Sequence, residues 1–318
     1  MVACQINKPR SLIFLSFYCI FASLFGCAVM QRTPMPQLPE NVQARVELDT
    51  FPFYAQDAYQ CGPATLAMAL TWNGLAVTPE ELKDQVYTPS RKGSLQLAMV
   101  AAARRHGRIA YQINDPESLF MELAAGHPMI ILQNLGLSRL PVWHYAVVIG
   151  YDVPHQEVIL RSGTTKRKVM SYHVFEKTWA RSNFWGLMVL EPYQIPASAE
   201  EEKYLRAIIG LEKSRHFLAA ATGYRTALTR WPASLNARLG LGNCHYALGD
   251  LKGAERAFRE ATESHPRSPV AFNNLAHVLM EQGHLPEALA NAKQAVALGG
   301  PLKSESEKTL QDIRSRMR

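Results

Sequence analysis

Cys61 stands in the run Gln56-Asp57-Ala58-Tyr59-Gln60-Cys61-Gly62-Pro63-Ala64 and opens an apolar stretch, Ala64 to Leu70. A thiol at the first turn of a helix feels the positive end of the macrodipole, which lowers its pKa and favours the thiolate. The thiolate is the nucleophile of cysteine hydrolases. Such a nucleophile needs a base, and the chain has ten histidines. His216, His245, His265, His277 and His284 fall in helical repeats, His106 and His127 flank helix ends, and His155 and His173 read as turn or surface residues. His144 remains. It follows Trp143 and opens a strongly apolar strand, so it is expected as general base and then acid. Gln56 can point its side-chain amide at a developing oxyanion beside the Cys61 backbone N–H; Gln60 is an alternative donor that adjoins the nucleophile. No Cys-x-x-Cys pair, His-Glu-x-x-His run or glycine-rich phosphate loop accompanies them. No metal, other cofactor or nucleotide is therefore expected.

These side chains need elements to hold them. Residues 51–192 mix helix and strand signals. Helices are expected over 61–72, 79–86, 94–106 and 116–125, the second with Thr78 as N-cap and Glu81 closing a capping box. Strands are expected over 128–133, 144–151, 157–162, 168–172 and 185–191. Helices first and an antiparallel sheet after is an α+β pattern. Pro192 and the Pro-Ala-Ser-Ala-Glu stretch at 196–200 mark its end. Beyond it the chain repeats every 34 residues: Ala220, Ala254 and Ala288; Ala227, Ala261 and Ala295; Gly249 and Gly283; Pro232 and Pro266; Tyr224 and Phe258. That period and this placing of small residues resemble the tetratricopeptide repeat. Three copies fill 201–302, and 303–318 is a charged helix suited to cap an all-α solenoid whose concave face takes a peptide or protein.

The chain of 318 residues suffices for two domains, and with 47% hydrophobic and 19% charged residues both can bury a core. Lys8 and Arg10 precede an apolar stretch, Ser11 to Phe25, that ends in Leu24-Phe25-Gly26-Cys27. A membrane span needs about 20 apolar residues; this stretch has the length of a signal peptide. Its end resembles a bacterial lipobox. The resemblance implies that 1–26 is removed, that Cys27 is lipidated, and that the chain is anchored, with Ala28 directing it to the outer membrane facing the periplasm. Residues 27–50, with Pro34, Pro36 and Pro39, read as a tether. Loss of Lys8 and Arg10 takes the net charge from +7 to +5, with the basic residues scattered, so no nucleic-acid partner is expected. Cys61 and Cys244, the two cysteines of the folded part, lie in unrelated contexts and are not expected to pair.

Cys-Gly-Pro-Ala, the upstream Gln56 and the downstream His144-Tyr145-Ala146-Val147-Val148-Ile149-Gly150-Tyr151-Asp152 together resemble the C39-like branch of papain-fold cysteine peptidases, in the bacterial lipoprotein form with C-terminal tetratricopeptide repeats. The resemblance implies a papain-like domain over 51–192, Cys61 as nucleophile, His144 as base and Gln56 in the oxyanion hole. The third member departs from the family. A hairpin centred near 153–154 places His144 opposite Ser162 or Gly163, where the family has Asp or Asn. Ser162 can accept the imidazole N–H without supplying charge. Asn134 can approach across a second hairpin, so either residue is a candidate to orient the ring. Asp152 lies eight residues along the strand, roughly 26 Å away at about 3.3 Å per residue, and cannot. The expected function is a membrane-anchored cysteine peptidase acting on a protein or peptide. A non-catalytic adaptor and a thiol acyltransferase are the alternatives.

Overall fold

Seven antiparallel strands form the sheet that carries the expected site. In chain order the strands are β1 (Arg45–Glu47), β4 (Ile109–Ile113), β5 (Met129–Asn134), β6 (Trp143–Asp152), β7 (Glu157–Ser162), β8 (Thr165–Ser171) and β9 (Gly186–Leu190), with β2 (Tyr87–Thr88) and β3 (Gly93–Ser94) as a separate ribbon. The sheet order is β4-β9-β5-β6-β7-β8, and β1 pairs with the last residues of β6, Arg45 opposite Asp152 and Glu47 opposite Gly150. The computed structural model describes residues 34–40, 42–56 and 60–318, of which those from Met35 onward belong to one unit. The expected signal 1–26 and Cys27 lie outside the described residues.

Alternation along the strands sends apolar side chains to both faces, so both faces are covered. One face, with Ile130, Tyr145, Val147, Ile149 and Val189, packs against α1 (Cys61–Trp72), α2 (Pro79–Val86) and α3 (Gln96–Arg105). The other, with Tyr111, Ile131, Ala146, Val148 and Met188, packs against α4 (Pro116–Ala124) and α5 (Tyr172–Ala180). Local chemistry sets the helix starts. Thr78 and Glu81 make the capping box with Pro79 at the first position, and Asp115 accepts from Ser118 N at 2.7 Å ahead of Pro116. The helix α1 is apolar all round and buried from Gly62 to Leu70, as a helix between a sheet and two other helices must be.

The α+β domain followed by repeat helices is the expected fold class, and four details differ. Met35, within the expected tether, is buried and donates its N–H to Gln156 Oε1 at 2.7 Å, and β1 joins the sheet, so Met35 and Arg45–Glu47 pack as part of the domain. The strand β4 follows α3 directly. The helix α5 begins at Tyr172, where a strand was expected to run on, because Tyr172, Phe175 and Trp179 share one buried face. The β6–β7 turn spans 153–156, and the register slips between Val148 and Gly150. Val147 then faces Arg161, the last pair of the ladder, and His144 lies beyond the paired residues, reaching Ser162 through its side chain.

Behind the sheet domain come α6 (Glu201–Lys213), α7 (Phe217–Arg230), α8 (Leu235–Ala247), α9 (Leu251–Ser264), α10 (Pro269–Glu281), α11 (Leu285–Leu298) and α12 (Lys303–Arg316). Two glycines of the second repeat allow helices to meet: a Cβ on Gly240 would lie 2.3 Å from the Tyr224 ring, and one on Gly242 would lie 2.4 Å from the Phe258 ring. The first repeat helix is built into the sheet domain. Tyr204, Leu205, Ile208 and Leu211 share one core with Tyr111 and Leu190.

Candidate active site

Cys61 is the first residue of α1, and Gln60, its N-cap, makes no side-chain cap. The Cys61 sulfur therefore sits at the open end of the helix. Burial pushes its pKa up, and the backbone N–H groups of Tyr145, Gly62 and Cys61 itself offset this in part. The macrodipole expectation of a lowered pKa is thus overridden by desolvation. Tyr145 immediately follows His144, so its N–H ties the thiol to the start of β6. Gly62 admits a close neighbour: a Cβ there would lie 2.2 Å from Ser94 Oγ and 2.5 Å from Ser94 Cβ. The Tyr145 hydroxyl donates to Ser94 O at 3.1 Å, fixing that segment against the strand.

His144 is the second residue of β6 and is half-buried. Its Nε2 lies 2.9 Å from the Oγ of buried Ser162. Burial, with Lys168 adding positive potential, brings His144 down to about 4, so the ring is neutral at pH 7. Asn134 is engaged elsewhere. Its Oδ1 accepts from Gly136 N at 3.0 Å and Val142 N at 2.9 Å, staples of the β5–β6 turn. Asp152, at the other end of β6, accepts from His155 N and contacts its Nδ1. Gln56 is buried. Its N–H donates to Gly163 O, its Oε1 accepts from Gly163 N at 3.1 Å, and its Nε2 reaches Tyr145 O at 3.5 Å. The rings and side chains thus meet in parts: His144 pairs with Ser162, Gln56 bonds the Gly163 backbone and reaches Tyr145 O, Cys61 opens α1 beside the Tyr145 N–H, and the Asn134 side chain is taken up by the β5–β6 turn.

Three features escaped the sequence reading. Arg161 is buried and donates to the carbonyls of Asp49, Phe51 and Lys166, which clamps the segment leading to Gln56 against β7. Ser94 Oγ is buried with no hydrogen-bond partner among the described residues. The β5–β6 turn is a stiff apolar hairpin. Leu137 and Leu140 exchange backbone hydrogen bonds, and Arg181 donates to Asn134 O and Gly136 O. Leu137, Leu140, Val142 and Trp143 are nonetheless exposed beside His144. The sequence shows the apolar residues Leu135-Gly136-Leu137 and Leu140-Pro141-Val142-Trp143, but not their exposure. Among the described residues no group of three His, Cys, Asp or Glu side chains could hold a metal ion.

Residues 48–186 match the Peptidase_C39 like family, and residues 205–269 match a tetratricopeptide repeat. No curated protein matches the chain. Among solved structures the chain is similar to a protein from Bacillus anthracis assigned as a C39-like peptidase, at 18% identity over 46% of this chain and 98% of that one, with a TM-score of 0.40. It is also similar to the type III secretion chaperone SycD of Yersinia enterocolitica, solved with a peptide of the translocator YopD, at 19% identity over 37% of this chain and 94% of that one, TM-score 0.35. PcrH from Pseudomonas aeruginosa follows at 18% identity over 36% and 91%, TM-score 0.35. By these two matches the chain combines a C39-like peptidase family domain at 48–186 with a tetratricopeptide repeat at 205–269.

Proposed function

We propose that the chain is a thiol peptidase of the bacterial envelope, with Cys61 as nucleophile, His144 as base and acid, Ser162 as the group that orients the ring, and Gln56 as an oxyanion donor. The single observation that carries this reading is the His144–Ser162 hydrogen bond of 2.9 Å beside a thiol held by the Tyr145 N–H. With Nε2–H donated to Ser162 Oγ, Nδ1 keeps its lone pair. The resting pair is then thiol and neutral imidazole. As Sγ attacks a peptide carbonyl, Nδ1 takes the thiol proton and the oxyanion accepts from Gln56 Nε2–H and the Cys61 N–H. The imidazolium gives its proton to the leaving amine. Water deprotonated by Nδ1 then cleaves the thioester, releasing the acid and restoring the thiol. The exposed apolar hairpin suits a substrate with apolar side chains near the scissile bond. The repeats recruit that substrate or a second protein. A lipid on Cys27 holds the chain to the membrane, on the sequence pattern at 24–27.

One observation favours a second reading, a peptide-binding adaptor without turnover: the ring partner Ser162 is uncharged and Lys168 stands near, so nothing stabilises imidazolium. A thiol-reactive probe at neutral pH separates the two. Labelling of Cys61 that His144→Ala abolishes supports the peptidase. Slow labelling that His144→Ala leaves unchanged supports the adaptor.

A further inference from the structure

At the joint between the sheet domain and the repeats lies a groove of about 560 Å³. Both domains line it, Arg108 and Tyr193 from the first and Arg215, His216, Leu218 and Leu248 from the second. Tyr193, Leu218 and Leu248 are 62%, 69% and 48% exposed, so three large apolar side chains face water in one concavity. Scattered exposed apolar residues are ordinary; gathered in a concavity between domains they mark a binding surface. No aspartate or glutamate lines the groove, and its ionisable groups, apart from the tyrosine, are basic. Arg108 donates to Asn73 O at 2.7 Å and stands 3.9 Å from Glu191, while its Nε is buried with no hydrogen-bond partner among the described residues.

Arg215 adds the decisive observation. It occupies the position that glycine holds one and two repeats later: Gly249 and Gly283 have φ of 77° and 81°, and Arg215 has φ of 63°. Glycine enters this left-handed region freely, whereas a side chain there meets the backbone. The first repeat therefore accepts backbone strain at the one copy whose turn faces the groove with a guanidinium. Strain held where the other copies avoid it points to a role for the side chain.

We propose that this groove is a docking site for an acidic polypeptide segment that carries an apolar side chain, the carboxylates meeting Arg215 and Arg108 and the apolar group lying among Tyr193, Leu218 and Leu248. The site is separate from Cys61 and does not depend on catalysis there. The test uses the full chain and a fluorescein-labelled decapeptide alternating glutamate and leucine, read by anisotropy. Binding should weaken about tenfold between low and high salt. Arg215→Gly should weaken it by about tenfold while leaving the thermal midpoint equal or higher, because glycine relieves the strain. Leu218→Ser should weaken it as well. Three results would overturn the proposal: unchanged affinity in Arg215→Gly, equal binding of the lysine–leucine counterpart, or displacement of the peptide by inorganic phosphate at constant ionic strength, which would make the groove a bare anion site.

Discussion

At the scale of single residues, the proposed chemistry turns on a hydroxyl, Ser162, as the partner of the His144 ring. A carboxylate beside imidazole favours its charged form; a hydroxyl does not. His144 accordingly lies at about 4, and the Cys61 thiol above its ordinary 9.0. Alkylation of Cys61 should therefore climb with pH toward the alkaline range, with no plateau below neutrality; a plateau near pH 5 would reveal a thiolate–imidazolium pair and refute the neutral resting state. Ser162→Asp should raise the pKa of His144 and increase labelling at pH 7 by about tenfold for each pH unit by which the thiol falls, with the His144 ring followed by NMR; an unmoved titration would remove Ser162 from the site. The sign for stability follows from the same depression. The unfolded chain binds the His144 proton near 6.5 and the folded one near 4, so the fold weakens as pH drops from 6.5 to 4, by about 3 kcal/mol in all. His144→Gln should flatten that part of the curve of unfolding free energy against pH. Gly62→Ala should displace the Ser94 segment, since the new methyl falls 2.2 Å from Ser94 Oγ. A loss of about 1–3 kcal/mol in urea unfolding together with slower Cys61 labelling is expected.

At the scale of elements, the site is held by turns more than by strands. Asn134 Oδ1 accepts from two backbone amides and closes the hairpin that delivers His144. Asn134→Ala should free both amides, lower stability by about 1–2 kcal/mol, and speed hydrogen exchange at Gly136 and Val142; protection equal to wild type would show that Arg181 alone holds the turn. The parts of the site that local signals encode were legible in the sequence. The helix behind Cys61 follows from an apolar run after Gly62-Pro63, and β6 and β7 follow from their β-branched residues. Ser162 could be named only as one of two partners because both neighbouring hairpins bring a polar residue toward His144, and only the folded turn, which takes up the Asn134 side chain, decides between them. The strand β1 was illegible for a related reason. Arg-Val-Glu, at three residues, is too short for its alternation to be read, and only its partners Gly150, Tyr151 and Asp152 make it a strand. The helix α5 did carry a signal, Tyr172, Phe175 and Trp179 at helical spacing, which the preceding strand masked. The role of Arg161 in clamping carbonyls appears only once the chain at 49–51 is folded against it.

At the scale of the whole molecule, the repeats complete the fold of the sheet domain. Tyr204 is fully buried with Ile208 and Leu211 in the core that also holds Tyr111, Leu190 and Trp179. Polar contacts lock the same joint. Tyr204 Oη donates to Gln194 O at 2.8 Å, the His216 ring contacts Arg105 O at 2.8 Å, and the buried Glu122 accepts from Ser198 N at 2.7 Å while contacting His127. A Cβ on Gly210 would lie 2.2 Å from Arg104 Nε, so the helix also passes directly under that guanidinium. Burial by itself would raise the Glu122 pKa, but hydrogen bonds from His127 and Ser198 outweigh it and hold the carboxyl below its ordinary 4.5. A carboxyl depressed in the folded state adds stability above its unfolded pKa and loses it as pH falls below. Below pH 4.5 the joint should therefore weaken, and Glu122→Gln should remove that acid step from the melting curve. A shared core also makes the two domains cooperative. Heating should give one transition for the sheet domain and the first repeat, and Tyr204→Ala should lower it by about 3–5 kcal/mol, as expected for a large buried aromatic ring. A chain cut after residue 200 should expose the Tyr111 face and aggregate or melt well below the intact protein. If instead the cut chain melted at the temperature of the whole, with Cys61 labelled at the same rate, the repeats would be an appended module and the shared core would count for little.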